Sequence, residues 1–167
     1  MSNNLFHTAQ DALCIKSVNL RSSNLSIRGG LDVEEIDRDH ATPQSFGWVK
    51  RVREFEEDKN VDGIKSWQYK FNYEVGVRLV PDNEEKQSFE EDDYEALIHV
   101  LAEFQAVYYS ETKMNEDQLE AFSENNVGFN VWPYWRELVQ SYCCRIGFHP
   151  PIEIPLYKSL ERKSEKK

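Results

Sequence analysis

The stretch Asn130-Val-Trp-Pro-Tyr-Trp-Arg-Glu-Leu-Val-Gln-Ser-Tyr-Cys-Cys-Arg-Ile-Gly147, followed by Phe148-His149-Pro150-Pro151, decides how the rest of the chain is read. Trp132, Trp135, Leu138, Val139, Tyr142 and Ile146 recur at helical spacing on one side, with Arg136, Glu137, Gln140, Ser141 and Arg145 on the other. Asn130 is the expected cap, and Pro133 is placed in the first turn, where a missing N–H costs nothing. Gly147 can take the left-handed conformation that ends a helix, and the Pro-Pro pair prevents its resumption. Two tryptophans and two tyrosines in one helix are a large, rigid apolar load.

Working outward, the cleanest periodicity lies earlier. Trp67, Tyr69, Phe71, Tyr73, Val75, Val77 and Leu79 alternate with Gln68, Lys70, Asn72, Glu74 and Arg78, the signature of a half-buried strand. A second strand follows, with Tyr94, Ala96, Ile98, Val100, Ala102, Phe104, Ala106 and Tyr108 on one face. Its other face is mixed: Glu95, Leu97, His99, Leu101, Glu103, Gln105 and Val107. The acid-rich run 81–92 between them reads as a solvated loop.

Upstream, residues 1–10 are expected to be a frayed start. Residues 12–28 alternate, but the parity flips across Arg21-Ser22-Ser23-Asn24, which predicts one long strand bent by a β-bulge; two separate strands are the alternative, though no Gly or Pro supplies a tight turn there. Residues 31–45 are charged, aperiodic and broken by Pro43, and predict a long crossover loop. Residues 46–55 form a weak strand with charges suited to an edge, and 56–65 a polar turn around Asp62-Gly63. Downstream, Asn115-Glu-Asp-Gln118 is a helix start for a short helix that stops near Asn125, Asn126 and Gly128. The expected fold class is therefore α+β: a four-stranded antiparallel sheet with a short and a long C-terminal helix on one face. Residues 1–157 make a single domain, and 158–167 a basic tail expected to be disordered.

Composition narrows the function classes. The chain has 167 residues, with 30 acidic against 20 basic and a formal net charge of −10. A nucleic-acid binder needs a basic face, so no nucleic-acid partner is expected. No secretory signal or membrane-length apolar run is visible, and no membrane insertion is expected. Cys14, Cys143 and Cys144 make neither a disulfide framework nor a CxxC pair, which fits a reducing cytoplasm. His7, His40, His99 and His149 show no metal spacing. With no Gly-rich phosphate loop and no nucleophile elbow, neither catalysis nor a cofactor is expected.

The order of residues in the long helix resembles the SecB family of export chaperones. The matching positions are Asn130, Trp132, Pro133, Tyr134, Arg136 and Glu137, then Arg145, Gly147, Pro150, Pro151 and Pro155. Tyr73-Glu74-Val75-x-Val77-Arg78-Leu79 and Leu101-x-Glu103-Phe104 are similar, more loosely, to the family's third and fourth strands. The resemblance implies an ATP-independent holding chaperone for non-native polypeptides. It also implies sheet pairing through strand one, a dimer of dimers, and an apolar groove between crossover and long helix. Phe46, Trp48, Trp132, Trp135, Leu138 and Tyr142 are the candidates to line that groove, and Leu101 and Glu103 the candidates to dock the motor SecA.

The pattern departs from the family in three places. Gln105-Ala-Val-Tyr-Tyr109 replaces a Gln-Gly-x-Phe type segment, strand one carries Lys16, Arg21 and Arg28 instead of acids, and the tail is basic. A second expectation therefore stands beside the first: an adaptor or toxin–antitoxin-associated chaperone dedicated to one partner, without SecA coupling. A small-ligand pocket under the long helix is a third, weaker option.

Overall fold

Alternation in the two cleanest strands settles where the core lies. The computed structural model describes residues 2–58, 65–82 and 96–157, with side chains from His7 onward. Its sheet contains β1 (Cys14–Ile27), β2 (Ala41–Asp58), β3 (Lys65–Pro81) and β4 (Ile98–Ser110), all antiparallel, in the order β1-β4-β3-β2. From β3, Tyr69, Phe71, Tyr73, Val75, Val77 and Leu79 are buried on one face. From β4, Ile98, Val100, Ala102, Phe104, Ala106 and Tyr108 join them, as the alternation predicts. β2 runs on to Asp58 and β3 begins at Lys65, both within the span 56–65 expected as a turn; β3 also takes in Pro81 of the expected loop 81–92, and β4 starts at Ile98, after Ala96. Residues 59–64, 83–95 and the tail 158–167 lie outside the described residues.

That inner face is covered by helix. α2 (Glu116–Phe122) begins at Asn115, whose side chain accepts from the Gln118 N–H at 2.9 Å while the Gln118 side chain accepts from the Asn115 N–H at 2.9 Å. Two donors at the helix start are thus satisfied reciprocally, as the sequence predicts. α2 does not stop at the Asn-Asn-x-Gly signal. It passes through a wide π turn (Ser123–Val127) directly into α3 (Gly128–Arg145). The side chains of Ser123 and Asn125 donate to the Leu119 and Ala121 carbonyls, each at 2.7 Å, and brace the wider turn against α2.

Two expectations change as a result. Asn130 is no cap, because the helix is already under way; its amide instead donates to the Tyr108 hydroxyl at 2.9 Å. Pro133 lies inside the helix, so the Phe129 carbonyl loses its usual donor, a cost of about 3 kcal/mol that tertiary packing offsets. That packing is dense. Phe122 is fully buried with its ring centroid 5.0 Å from Tyr108 and 5.7 Å from Phe71, a contact worth roughly 3 kcal/mol from burial. The chain leaves α3 at Gly147, whose φ of 76° is the left-handed cap the sequence predicts.

The start of the chain is not frayed. Residues Ser2–Ala12 form a helix, α1, that packs on α2. Ala9 and Leu13 are buried there, and the Leu13 N–H donates to the Ala9 carbonyl at 2.9 Å. Tertiary burial stabilises a segment too short and too polar to be helical alone.

β1 carries the predicted bulge. Its register with β4 slips between Leu20 and Ser22, and a second slip between Ile15 and Ser17 absorbs Lys16. The crossover ends earlier than expected, at His40, and contains one 3-10 turn (Val33–Glu35) capped by Asp32. β2 accordingly starts at Ala41 and runs through Pro43. A proline is tolerated there because β2 is an edge strand, where only alternate N–H groups are needed by the partner.

Candidate functional site

The outer edge of β2, the end strand of the described sheet, lies opposite the start of the helical run, and the space between them is a groove of about 1270 Å³. One wall is the strand from Ser45 to Val52, with Glu54. The other is Leu119, Ser123, Phe129 and Tyr157. Register explains why both parities of β2 reach it. Gly47, Val49 and Val52 pair with Val75, Tyr73 and Phe71 and so share the inner face, whereas Phe46 and Trp48 pair with Gly76 and Glu74 on the outer face. A groove that follows a strand edge meets side chains of both faces.

Two glycines shape the strand wall. A side chain at Gly47 would strike the Tyr73 ring and hydroxyl, so the glycine lets that phenol lie across β2 into the groove. Burial, with Tyr157 nearby, holds the Tyr73 phenol far above its ordinary pKa, and it stays an uncharged donor. On the outer face the Phe46 ring lies over Gly76, where any Cβ would meet it. Phe46 stacks on Trp48 with centroids 4.8 Å apart. Trp48 is 49% exposed and Phe129 54%, large apolar surface on opposite walls of one groove.

The helix wall is closed by the segment after α3. The Tyr157 ring seats on Gly128, where a Cβ would strike it, and meets Phe129 and Trp132 edge to face at 6.2 and 5.4 Å. Behind it the Trp132 indole donates to the Pro155 carbonyl at 2.7 Å. The crossover braces the same segment, with Arg38 donating to the Pro150 carbonyl at 2.6 Å and lying over the Phe148 ring. The rim is acidic on the helix side, where Glu116, Glu120 and Glu124 stand four residues apart and exposed. On the strand side Lys50 sits in a β2 bulge and turns to Glu74 at 2.8 Å, an ion pair that raises its pKa.

The six groove candidates therefore separate. Phe46 and Trp48 border the groove. Trp132 and Trp135 are core, the latter fully buried with no partner for its indole N–H among the described residues. Leu138 and Tyr142 are half-buried further along the helix, away from the groove. The Tyr142 hydroxyl bonds to Ser23 of β1 at 2.5 Å. One helix face cannot both cover a sheet and stay open.

Leu101 and Glu103 stand on the outer face, in register with Gly76 and Glu74 and so in the same two rows as Phe46 and Trp48. Glu103 accepts from the Asn72 amide at 2.6 Å and lies 3.9 Å from Lys50. The β1 positions beside them are Asn24 and Ser22, while Lys16 and Arg21 occupy the two register slips. Val49, Val52, Leu119, Phe129 and Tyr157 line the groove without having been singled out in the sequence, and Tyr73, read there only as a strand residue, joins them. Phe129, one residue before the quoted stretch, carried the clearest signal.

Among the described residues no group of three His, Cys, Asp or Glu side chains is arranged to hold a metal ion. No described helix is long and apolar enough to cross a membrane.

No protein-family profile matches the chain, and no curated protein is similar to it in sequence. Its fold does match solved structures. One is the Mycobacterium tuberculosis SecB-like chaperone Rv1957, solved in complex with a ChAD peptide from the HigA1 antitoxin. The two chains superpose with a TM-score of 0.62 at 13% identity, over 92% of this chain and 98% of that one. The four-stranded antiparallel sheet, the helix across one face and this superposition lead to one statement: the chain has the SecB-like fold, in a widely diverged sequence.

Proposed function

We propose that this protein is a nucleotide-independent holding chaperone that takes up extended segments of non-native polypeptide along the β2 edge. The observation that carries the reading is the groove itself. It follows β2, the strand at the end of the described sheet, and Trp48 and Phe129 stand half exposed on its two walls. An extended segment laid there would find backbone hydrogen-bonding groups on β2 and apolar surface for side chains of either parity. Aromatic walls suit varied sequences because they bury much area at little rotamer cost.

Dilution of a chemically unfolded, unrelated protein into rising amounts of this one, followed by light scattering, tests the proposal. Suppression should saturate at a fixed ratio, and the Trp48→Ala/Phe129→Ala variant should need several-fold more protein. Full suppression by that variant would place client binding elsewhere.

A second reading is favoured by the fold match, since the mycobacterial neighbour was solved holding a peptide of a single antitoxin. On that reading this groove serves one dedicated partner, and general suppression is weak. Export coupling would use Leu101 and Glu103 on the outer face. The uncharged Ser22 and Asn24 beside them, where an acidic strand is expected, argue for little SecA binding. Binding by Ser22→Asp/Asn24→Glu but not by the wild type would support that account.

A further inference from the structure

We propose that the Tyr73 and Tyr157 hydroxyls form a polar subsite at the floor of the β2 groove, and that it takes the uncharged carboxamide of a client asparagine or glutamine. This rests on the groove proposed above as the client site, and names what one position of a bound segment carries there.

The starting observation is a hydroxyl without a partner. Tyr69, Tyr73 and Tyr108 all lie buried on the inner face of the sheet. The Tyr69 hydroxyl accepts from the Met114 N–H at 2.8 Å, and the Tyr108 hydroxyl accepts from the Asn130 amide at 2.9 Å. Tyr73 is only 5% exposed, yet its hydroxyl makes no hydrogen bond among the described residues. A buried phenol ordinarily finds a partner for its O–H, because leaving the bond unmade is costly.

Gly47 decides where that hydroxyl goes. An alanine Cβ at position 47 would come to 2.5 Å from the Tyr73 oxygen, so the phenol reaches across β2 only because that position is bare. The ring is held in the core while its polar end opens on the groove. Tyr157 repeats the arrangement from the other wall. It crosses Gly128, where an alanine Cβ would come to 2.5 Å from its oxygen, and it lines the same groove. Its hydroxyl too has no hydrogen-bond partner among the described residues. The two phenols are close enough that charge on Tyr157 would raise the pKa of Tyr73, and burial raises both. Each therefore stays neutral, with one O–H to give and lone pairs to accept.

The chemistry of the occupant follows. A carboxamide carries both an acceptor and donors, so its oxygen can take the O–H of one tyrosine while its nitrogen gives to the oxygen of the other. An apolar side chain of the same length would leave both hydroxyls unpaired. A carboxylate would lose its water beside the acidic stripe of Glu116, Glu120 and Glu124, with Lys50 already turned to Glu74. A lysine or arginine gains from that stripe at the rim, but at the floor it would be dehydrated between two neutral phenols. Register gives the surroundings. On a strand laid along β2, the residue opposite Gly47 faces the phenols. Its immediate neighbours share the outer face with Phe46 and Trp48, and the residue two away shares the inner face with Val49.

Fluorescence anisotropy with two labelled peptides tests the subsite. The first has the sequence Ser-Val-Phe-Gln-Phe-Val-Ser, a palindrome that presents the same side chains in either strand direction. The second has Met in place of Gln. The wild-type protein should bind the first about 5-fold or more tightly than the second. In Tyr73→Phe/Tyr157→Phe, which keeps both rings and removes only the two oxygens, that preference should vanish. The ratio is the readout, because a general loosening of the groove would weaken both peptides alike.

Equal affinities in the wild type overturn the subsite; if Trp48→Ala/Phe129→Ala weakens both peptides, the groove reading stands without it. A preference that survives in the double phenylalanine variant also overturns the subsite, since the hydroxyls would not be its source. No binding of either peptide removes the groove reading and the subsite with it, so the two failures are distinguishable.

Discussion

The indole N–H of Trp132 donates to the carbonyl of Pro155 at 2.7 Å, and this bond ties the chain that has left the long helix back onto that helix. It holds the segment carrying Tyr157 against Gly128, and so builds one wall of the groove. Trp132 is core, but through this bond it sets the shape of a surface it does not line.

Trp132→Phe keeps most of the apolar volume and removes the donor. The net loss should be about 1 kcal/mol, seen as a fall in Tm of roughly 2–4 °C for a domain of this size. Tyr157 should become more accessible to solvent, and a variant with wild-type Tm would show that the bond is not a brace.

Gly76 is required by Phe46 on one side and, on the other, by the Val100 carbonyl, which an alanine Cβ would approach to 3.2 Å. Gly76→Ala should therefore destabilise by roughly 1–3 kcal/mol through overpacking. Adding Phe46→Ala should recover part of that loss. Strictly additive urea midpoints for the two changes would falsify the contact as the cause.

The π turn takes up one residue more than an α turn, and so keeps the downstream face on the core. Deleting Asn126 should return the helix to an α repeat with Trp135 and Val139, both fully buried, still in place. Deleting Arg136, beyond the turn, should instead rotate Val139 and all that follows by about 100°. Near-UV circular dichroism should stay native in the first deletion and lose signal in the second, and loss in both would sink this account of the turn.

His99 gives a pH dependence of definite sign. Burial, and then the Arg78 charge, lower its pKa below the ordinary 6.5. The folded state thus favours neutral His99; its contribution is fully present above pH about 6.5 and is lost as pH falls from there through the folded pKa. Between about pH 7.5 and about pH 5 the wild type should lose more stability than His99→Gln, as measured by urea midpoints. His40 works the opposite way, since its hydrogen bond to Asp37 raises its pKa and its contribution fades as pH rises through that value. It is fully exposed, and its share is small. Equal pH slopes for the two proteins would remove His99 as the cause.

The sequence by itself determined the faces of β3 and β4, the bulge in β1, the capping box at Asn115 and the Gly147 stop. Each is fixed within a few residues by alternation, side-chain capping or backbone freedom, and short-range patterns record short-range physics. Tertiary structure decided the rest. Asn125-Asn126 and Gly128 signal a break, yet packing of Phe122, Val127 and Val131 on the sheet carries the helix through as a π turn. Residues 2–12 lack helix signals and fold because Ala9 and Leu13 are buried near α2. Periodicity marks Trp48 and Trp135 alike as apolar, but only the register of β2 and the rotation of α3 put one at a groove and the other in the core. Those depend on partners far away in the chain, which no local pattern encodes.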